Sequence, residues 1–155
     1  MKKEMYSFLC LFVLLYGCAS VEQIQPLDTP TGKPEITIQT KDAKKVIASL
    51  QNAMINREYS LVKQSENLNV WERPMKDFAS SLAYGSKMNP TPYFRVTYTF
   101  IYNENTIRII ASIHIVTNPG TNFEQIKDVS KQSRSAHNIQ EVLLRCQSND
   151  TSEDK

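Results

Sequence analysis

Between Tyr93 and Thr117 apolar and polar side chains alternate strictly. Phe94, Val96, Tyr98, Phe100 and Tyr102 are interleaved with Arg95, Thr97, Thr99, Ile101 and Asn103. Beyond a polar turn at Asn103-Glu104-Asn105, Ile107, Ile109, Ala111, Ile113 and Ile115 are interleaved with Arg108, Ile110, Ser112, His114 and Val116. Successive strand residues point to opposite faces, so this pattern predicts a long antiparallel hairpin with one buried and one largely wet face.

The remaining pattern supplies what covers the buried face. Ile36 and Ile38 alternate as a short strand; Thr40 or Asp42 then caps a helix in which Val46, Ile47, Leu50, Ala53 and Met54 recur at helical spacing. Tyr59–Gln64 and Leu68–Glu72 read as two strands around the turn Ser65-Glu66-Asn67, with Pro74 ending the second. Met75–Tyr84 reads as a short helix with Phe78, Ala79, Leu82 and Ala83 inward, followed by the irregular stretch Gly85–Pro92. Asn118-Pro119-Gly120-Thr121 has the residues of a type II turn. Thr121-Asn-Phe-Glu124 fits a capping box, which predicts a helix from near Asn122 carrying Ile126 and Val129 inward. After the serine-rich break Ser130–Ser135, a last helix runs through Ala136, Ile139, Val142, Leu143 and Cys146. The expected fold class is α+β: one domain over residues 35–146, with helices packed on one face of an antiparallel sheet.

Outside that domain the pattern changes. Residues 18–34 are polar, carry Pro26, Pro30, Gly32 and Pro34, and read as a flexible tether; residues 147–155 read as a disordered acidic tail. At the head, Met1-Lys2-Lys3-Glu4 is followed by a nearly unbroken apolar run from Met5 to Tyr16 and by Gly17-Cys18. That is the charged, apolar, small-residue order of a secretory signal, and at about 12 residues it falls short of the roughly 20 needed to span a bilayer.

Leu15-Tyr16-Gly17-Cys18, followed by Ala19-Ser20, resembles the lipobox of bacterial lipoproteins. The resemblance implies cleavage between Gly17 and Cys18 and a diacylglyceryl group, with a further acyl chain such as palmitate, on Cys18. Two or more chains make such an anchor effectively permanent. It also implies an outer-membrane, periplasm-facing location if the source is Gram-negative, because Ala19 rather than Asp follows the cysteine. The order of elements in the mature domain is similar to that of helix-grip domains of envelope lipoproteins, a likeness of pattern that transfers no function.

Charge and chemistry narrow the function by elimination. The chain carries 18 basic and 16 acidic side chains, and loss of residues 1–17 leaves 16 and 15, with no concentrated basic stripe of the kind nucleic-acid binding requires. Of Cys10, Cys18 and Cys146, the first leaves with the signal and the second takes lipid, so Cys146 stands alone on the apolar stripe of the last helix as a structural thiol. His114 and His137 have no ligand-spaced partners for a metal, and no nucleophile elbow, phosphate loop or dinucleotide fingerprint occurs. No cofactor, metal or catalytic residue is expected.

Two candidate contact surfaces remain. The loop Tyr84–Tyr93 gathers Tyr84, Met88, Tyr93 and two prolines in an irregular stretch, the composition of an adaptable binding surface, although a plain connection accounts for it too. The open hairpin face presents Arg95, Thr97, Thr99, Arg108, Ser112 and His114 together with apolar Ile101, Ile110 and Val116. Trp71 reads as core. The expected protein is a lipid-anchored envelope module that binds another envelope protein without catalysis; a carrier of a small apolar ligand is the alternative, and an enzyme with a motif-free site the third reading.

Overall fold

The computed structural model describes residues 24–85, 91–131 and 133–151. The hairpin forms as its alternation requires: β4 (Tyr93–Asn103) pairs antiparallel with β5 (Thr106–Thr117) from Tyr93↔Val116 to Asn103↔Thr106. On the far side of β4 lie β3 (Leu68–Pro74) and then β2 (Ser60–Ser65), both antiparallel. The outer edge of β5 is shared end to end. β1 (Glu35–Gln39) takes Thr106–Ile110, and β6 (Gln125–Asp128) takes His114–Thr117. The result is a six-stranded antiparallel sheet of order β1-β5-β4-β3-β2, with β6 beside β5.

Helix α1 (Ala43–Ile55) begins where Asp42 Oδ1 accepts from the Lys45 amide at 3.2 Å, satisfying a free donor of its first turn. It buries Val46, Leu50 and Met54. Helix α2 (Phe78–Tyr84) is capped in the same way by Asp77, and α3 spans Arg134–Thr151. Both α1 and α3 lie on one face of the sheet. Ala136, Ile139, Val142, Leu143 and Cys146 of α3 close over Ile36, Ile38, Trp71, Val96, Tyr98, Phe100 and the inward row of β5 in a single hydrophobic cluster. This is the α+β arrangement that the alternation and helical spacings predict.

Several details depart from the sequence reading. The helix expected from Asn122 is absent: Thr121 Oγ1 accepts from the Phe123 amide at 3.1 Å, a tight turn, and Gln125–Asp128 pair with β5 as β6. The Glu124 carboxylate accepts from the Gly120 amide at 2.9 Å and from Arg95, so the side chain expected to close a capping box serves a turn and an ion pair. Ile126 accordingly lies 56% exposed, while Val129 packs partly against the core. In α2, Leu82 is 77% exposed, because this short helix reaches only the end of the core near Ile115.

Of the segment read as a tether, the part from Leu27 onward lies against the domain. Leu27 packs on the core, Thr29 Oγ1 donates to the Lys33 carbonyl at 2.6 Å, and the Pro34 carbonyl accepts from the Ala111 amide at 2.8 Å. At the other end α3 continues through Cys146 to Thr151, carrying helix into the first five residues of the expected tail.

Candidate functional site

The face of the sheet away from α1 and α3 is fixed by strand parity. Because Val96, Tyr98 and Phe100 point inward, Tyr93, Arg95, Thr97, Thr99 and Ile101 point outward, and the register carries this across neighbouring strands. Glu72 faces Arg95, Arg95 faces His114 and His114 faces Asp128, so four charged or titratable side chains form one row across β3, β4, β5 and β6. Arg95 is held between two carboxylates, 2.5 Å from Glu72 Oε1 and 2.8 Å from Glu124 Oε1. The loop between β5 and β6 therefore folds over this end of the open face.

Lys33 enters the same face from the segment before β1. Its ammonium donates to Ser112 Oγ at 3.0 Å and lies 3.8 Å from Asp128 Oδ2. With the amine as donor and Asp128 beside it, Ser112 is an acceptor; the contact ties the segment to the sheet and does not pair a nucleophile with a base. Partial desolvation by itself would raise the Asp128 pKa, yet the Ser130 hydroxyl and amide, with Lys33 and His114, hold it below its ordinary value. His114 is pushed below its ordinary value by burial; Lys33 and Arg95 act in the same direction and Asp128 opposes them. Arginine hydrogen bonds, the Gly120 amide and the Arg95 charge lower the Glu124 pKa.

Below this row the face changes character. Leu68 stands opposite Thr99, which stands opposite Ile110; Val70 stands opposite Thr97, which stands opposite Ser112. Ile101 is 41% exposed, and Leu68, Val70, Thr97 and Ile110 are half-buried. The centre is thus a shallow band of aliphatic and threonine side chains, bounded by the Glu72–Asp128 row at one end and by the Glu35–Arg108 pair along β1. An apolar centre with a charged rim is the anatomy of a protein-binding surface. Val116, expected to contribute there, is fully buried.

The other expected site is divided by the sheet. Tyr84, at the end of α2, lies on the helix side with Lys127 Nζ 5.3 Å from its ring centre, beside Ile115 and Thr117 in a hollow of about 390 Å³. Tyr93 stands opposite Val116, and so its side chain projects on the open face. Met88 lies outside the described residues, as do Gly17 and Cys18. His137 Nδ1 sits 3.1 Å from the Ser133 carbonyl in the first turn of α3, and Cys146 is buried in the core, where burial raises its thiol pKa and the Ser49 hydroxyl opposes the shift. Among the described residues no group of three or more metal-ligating side chains converges, and no helix is long and apolar enough to cross a membrane.

The row residues Glu72 and Asp128, and Glu124 and Lys33 that join the row from neighbouring loops, escaped the sequence reading as site residues. Parity within β3 puts Glu72 on the open face once Trp71 is taken as core; Glu124 and Asp128 depend on the path of the loop and the register of β6, and Lys33 on the path of the segment before β1. Comparison with known proteins finds no family model, no curated relative and no solved structure that matches this chain.

Proposed function

We propose that this chain is a lipid-anchored envelope protein, held on the extracytoplasmic side of a bacterial membrane through Cys18, whose domain binds another envelope protein without catalysis. The observation that carries the binding part is the open sheet face: an aliphatic and threonine band of Leu68, Val70, Thr97, Thr99, Ile101 and Ile110, rimmed by fixed ion pairs. Prebuilt ion pairs hold the rim without ordering cost at the moment of binding, and the flat centre offers area that a partner can dry. The anchoring part rests on the Leu15-Tyr16-Gly17-Cys18 lipobox.

The carrier reading finds less support. Between helices and sheet, Leu50, Met54, Tyr98, Ile113 and Leu143 are at most 1% exposed, and packed side chains occupy the space that a ligand would fill in a helix-grip cavity. A shallower groove of about 370 Å³ does lie beside α1, against Ile47, Asn69, Phe100 and Tyr102, but its rim is open to solvent.

The test uses the full chain in its native membrane. A photocrosslinking residue at Thr99 should capture one membrane-associated protein, and one at Asn52 on the exposed side of α1 should not; Ile110→Asp should abolish the Thr99 adduct while the protein stays folded. Cys18→Ala should release the chain from the membrane fraction and leave the signal uncleaved. Equal capture from both faces would overturn the binding surface, and an unmodified cysteine in soluble wild-type protein would overturn the anchor.

A further inference from the structure

At the end of the sheet where α1 finishes and α3 begins, two arginines meet in a cleft of about 250 Å³. Arg57 follows the last turn of α1, and Arg73 stands near the end of β3. Tyr59 lies between them at the entry to β2, with the Arg73 guanidinium carbon 4.8 Å from its ring centre. Ser135 and Asn138 of the first turns of α3 complete the wall, buried Ile139 forms part of the lining, and Glu141 stands on the exposed side.

The arrangement leaves donors in excess. A guanidinium carries five N–H donors in a planar fork and no acceptor. Arg57 Nη1 donates to the Ala53 carbonyl at 3.2 Å and Arg73 Nη1 donates to the Arg57 carbonyl at 3.3 Å, contacts that close the end of α1 and orient both side chains. Neither guanidinium forms an ion pair with a carboxylate among the described residues, unlike Arg95, Arg108 and Arg145. The Tyr59 ring lies under the Arg73 guanidinium in the same cleft, and burial raises the pKa of its phenol against the lowering charges of Arg73 and Arg57, so it remains a protonated donor. Two cations, a phenol, a hydroxyl and an amide thus line one small cleft whose single carboxylate, Glu141, is turned toward Arg145 at 3.8 Å.

We infer that this cleft binds a phosphate group, gripped by the Arg57 and Arg73 guanidiniums with Tyr59, Ser135 and Asn138 as further donors. Two convergent cations favour the charge and several oxygens of a phosphate over the single charge of a carboxylate. The volume is just below that of sites for drug-sized ligands, which suits a small phosphate-bearing fragment. The same phosphate chemistry comes from two sources, free inorganic phosphate and the headgroup of an anionic phospholipid. The site lies on the helix side of the sheet, apart from the open face, and does not depend on the binding function proposed for that face.

The experiment follows the arginine side-chain NMR resonances of the full chain in non-ionic detergent at constant ionic strength, during titration with inorganic phosphate, glycerophosphoglycerol and acetate. The expected result is saturable movement of the Arg57 and Arg73 signals with at least one phosphate compound, at least tenfold weaker with acetate. Tighter binding of glycerophosphoglycerol identifies a lipid headgroup as the source, and tighter inorganic phosphate identifies the free anion. Arg57→Gln and Arg73→Lys should each weaken binding at least tenfold, the second because lysine keeps the charge and loses the fork, while Lys41→Gln, exposed at the far end of α1, should leave it unchanged. If Arg57→Gln fails to fold, Arg73→Lys and Tyr59→Phe decide the matter. Acetate binding as tightly as phosphate, absence of saturation, or full binding by Arg73→Lys would each overturn the assignment.

Discussion

Arg108 reaches Glu35 across the open face of the sheet with Nη2 2.6 Å and Nε 2.7 Å from the same carboxylate oxygen, while Thr31 Oγ1 donates to the other oxygen at 2.8 Å. The Glu35 side chain is 4% exposed and that of Arg108 35%. A carboxylate removed from water this far is tolerable because three donors replace its hydration. Arg108→Ala should therefore cost about 1–3 kcal/mol, the penalty for leaving buried charge short of partners with some water readmitted. Restoring neutrality with Glu35→Gln in the same chain should recover part of it. Urea denaturation of the two variants measures both effects, and a loss below about 0.5 kcal/mol would class the pair with ordinary surface bridges.

Ser130 fills the gap between β1 and β6 on the edge of β5. Its hydroxyl accepts from the Ile113 amide at 2.8 Å, and the neighbouring Val129 amide donates to the Ile113 carbonyl at 2.8 Å. One serine thus satisfies a strand donor that neither flanking strand reaches, at a position with no exposure. Ser130→Ala should destabilise by about 1–3 kcal/mol by leaving the Ile113 N–H buried and unpaired. Hydrogen exchange checks the site directly: the Ile113 amide should lose protection before its neighbours Ser112 and His114.

How much of this was legible in the sequence depends on the range of the interaction. The β4–β5 hairpin was readable because parity is a local property, and Phe100 and Ile109 fall inward on it without knowledge of any partner. The type II turn was readable too, with Gly120 at φ +72° where the turn needs a positive value. Thr121-Asn-Phe-Glu124 misled because the same hydroxyl and carboxylate can serve a helix start or a turn. What decided between them was the vacant edge of β5 and the distant Arg95, neither of which lies within the motif. The row Glu72, Arg95, His114 and Asp128 requires three registers at once, and a sequence read one strand at a time contains none of them. Leu27 and Lys33 looked like tether because their partners, the core and Ser112, lie far along the chain.

His114 gives stability a predictable dependence on pH. Its pKa in the folded protein lies below the ordinary 6.5, because burial penalises the imidazolium, Asp128 only partly opposes this, and Lys33 and Arg95 add to the lowering. The unfolded chain then binds a proton more readily than the folded one, so stability is full above about pH 6.5 and falls as the pH drops through the folded-state value. Glu124 and Asp128 are also depressed, and their contributions disappear in a separate window below their ordinary values of 4.5 and 3.8. Urea midpoints recorded from pH 8 downward should show two descents, and His114→Gln should remove the upper one alone. A midpoint that rises on mild acidification would reverse the sign and place the imidazolium among net favourable charges.

The two faces of the hairpin should answer differently to truncation. Ile109 is fully buried in the cluster shared with α1 and α3, so Ile109→Ala removes three carbon atoms from packed surroundings and should cost about 2–5 kcal/mol. Thr99 is exposed between Leu68 and Ile110 on the open face, and Thr99→Ala should cost about 0.5 kcal/mol or less, mostly through reduced strand preference. The contrast is informative because the residues lie on adjacent, paired strands of similar length. Any global loosening of the hairpin would affect both, whereas the assigned parity predicts a difference of at least about 1.5 kcal/mol. Equal losses would mean that the open face is covered in the folded protein, and the band around Thr99 would then be core and unavailable to a partner.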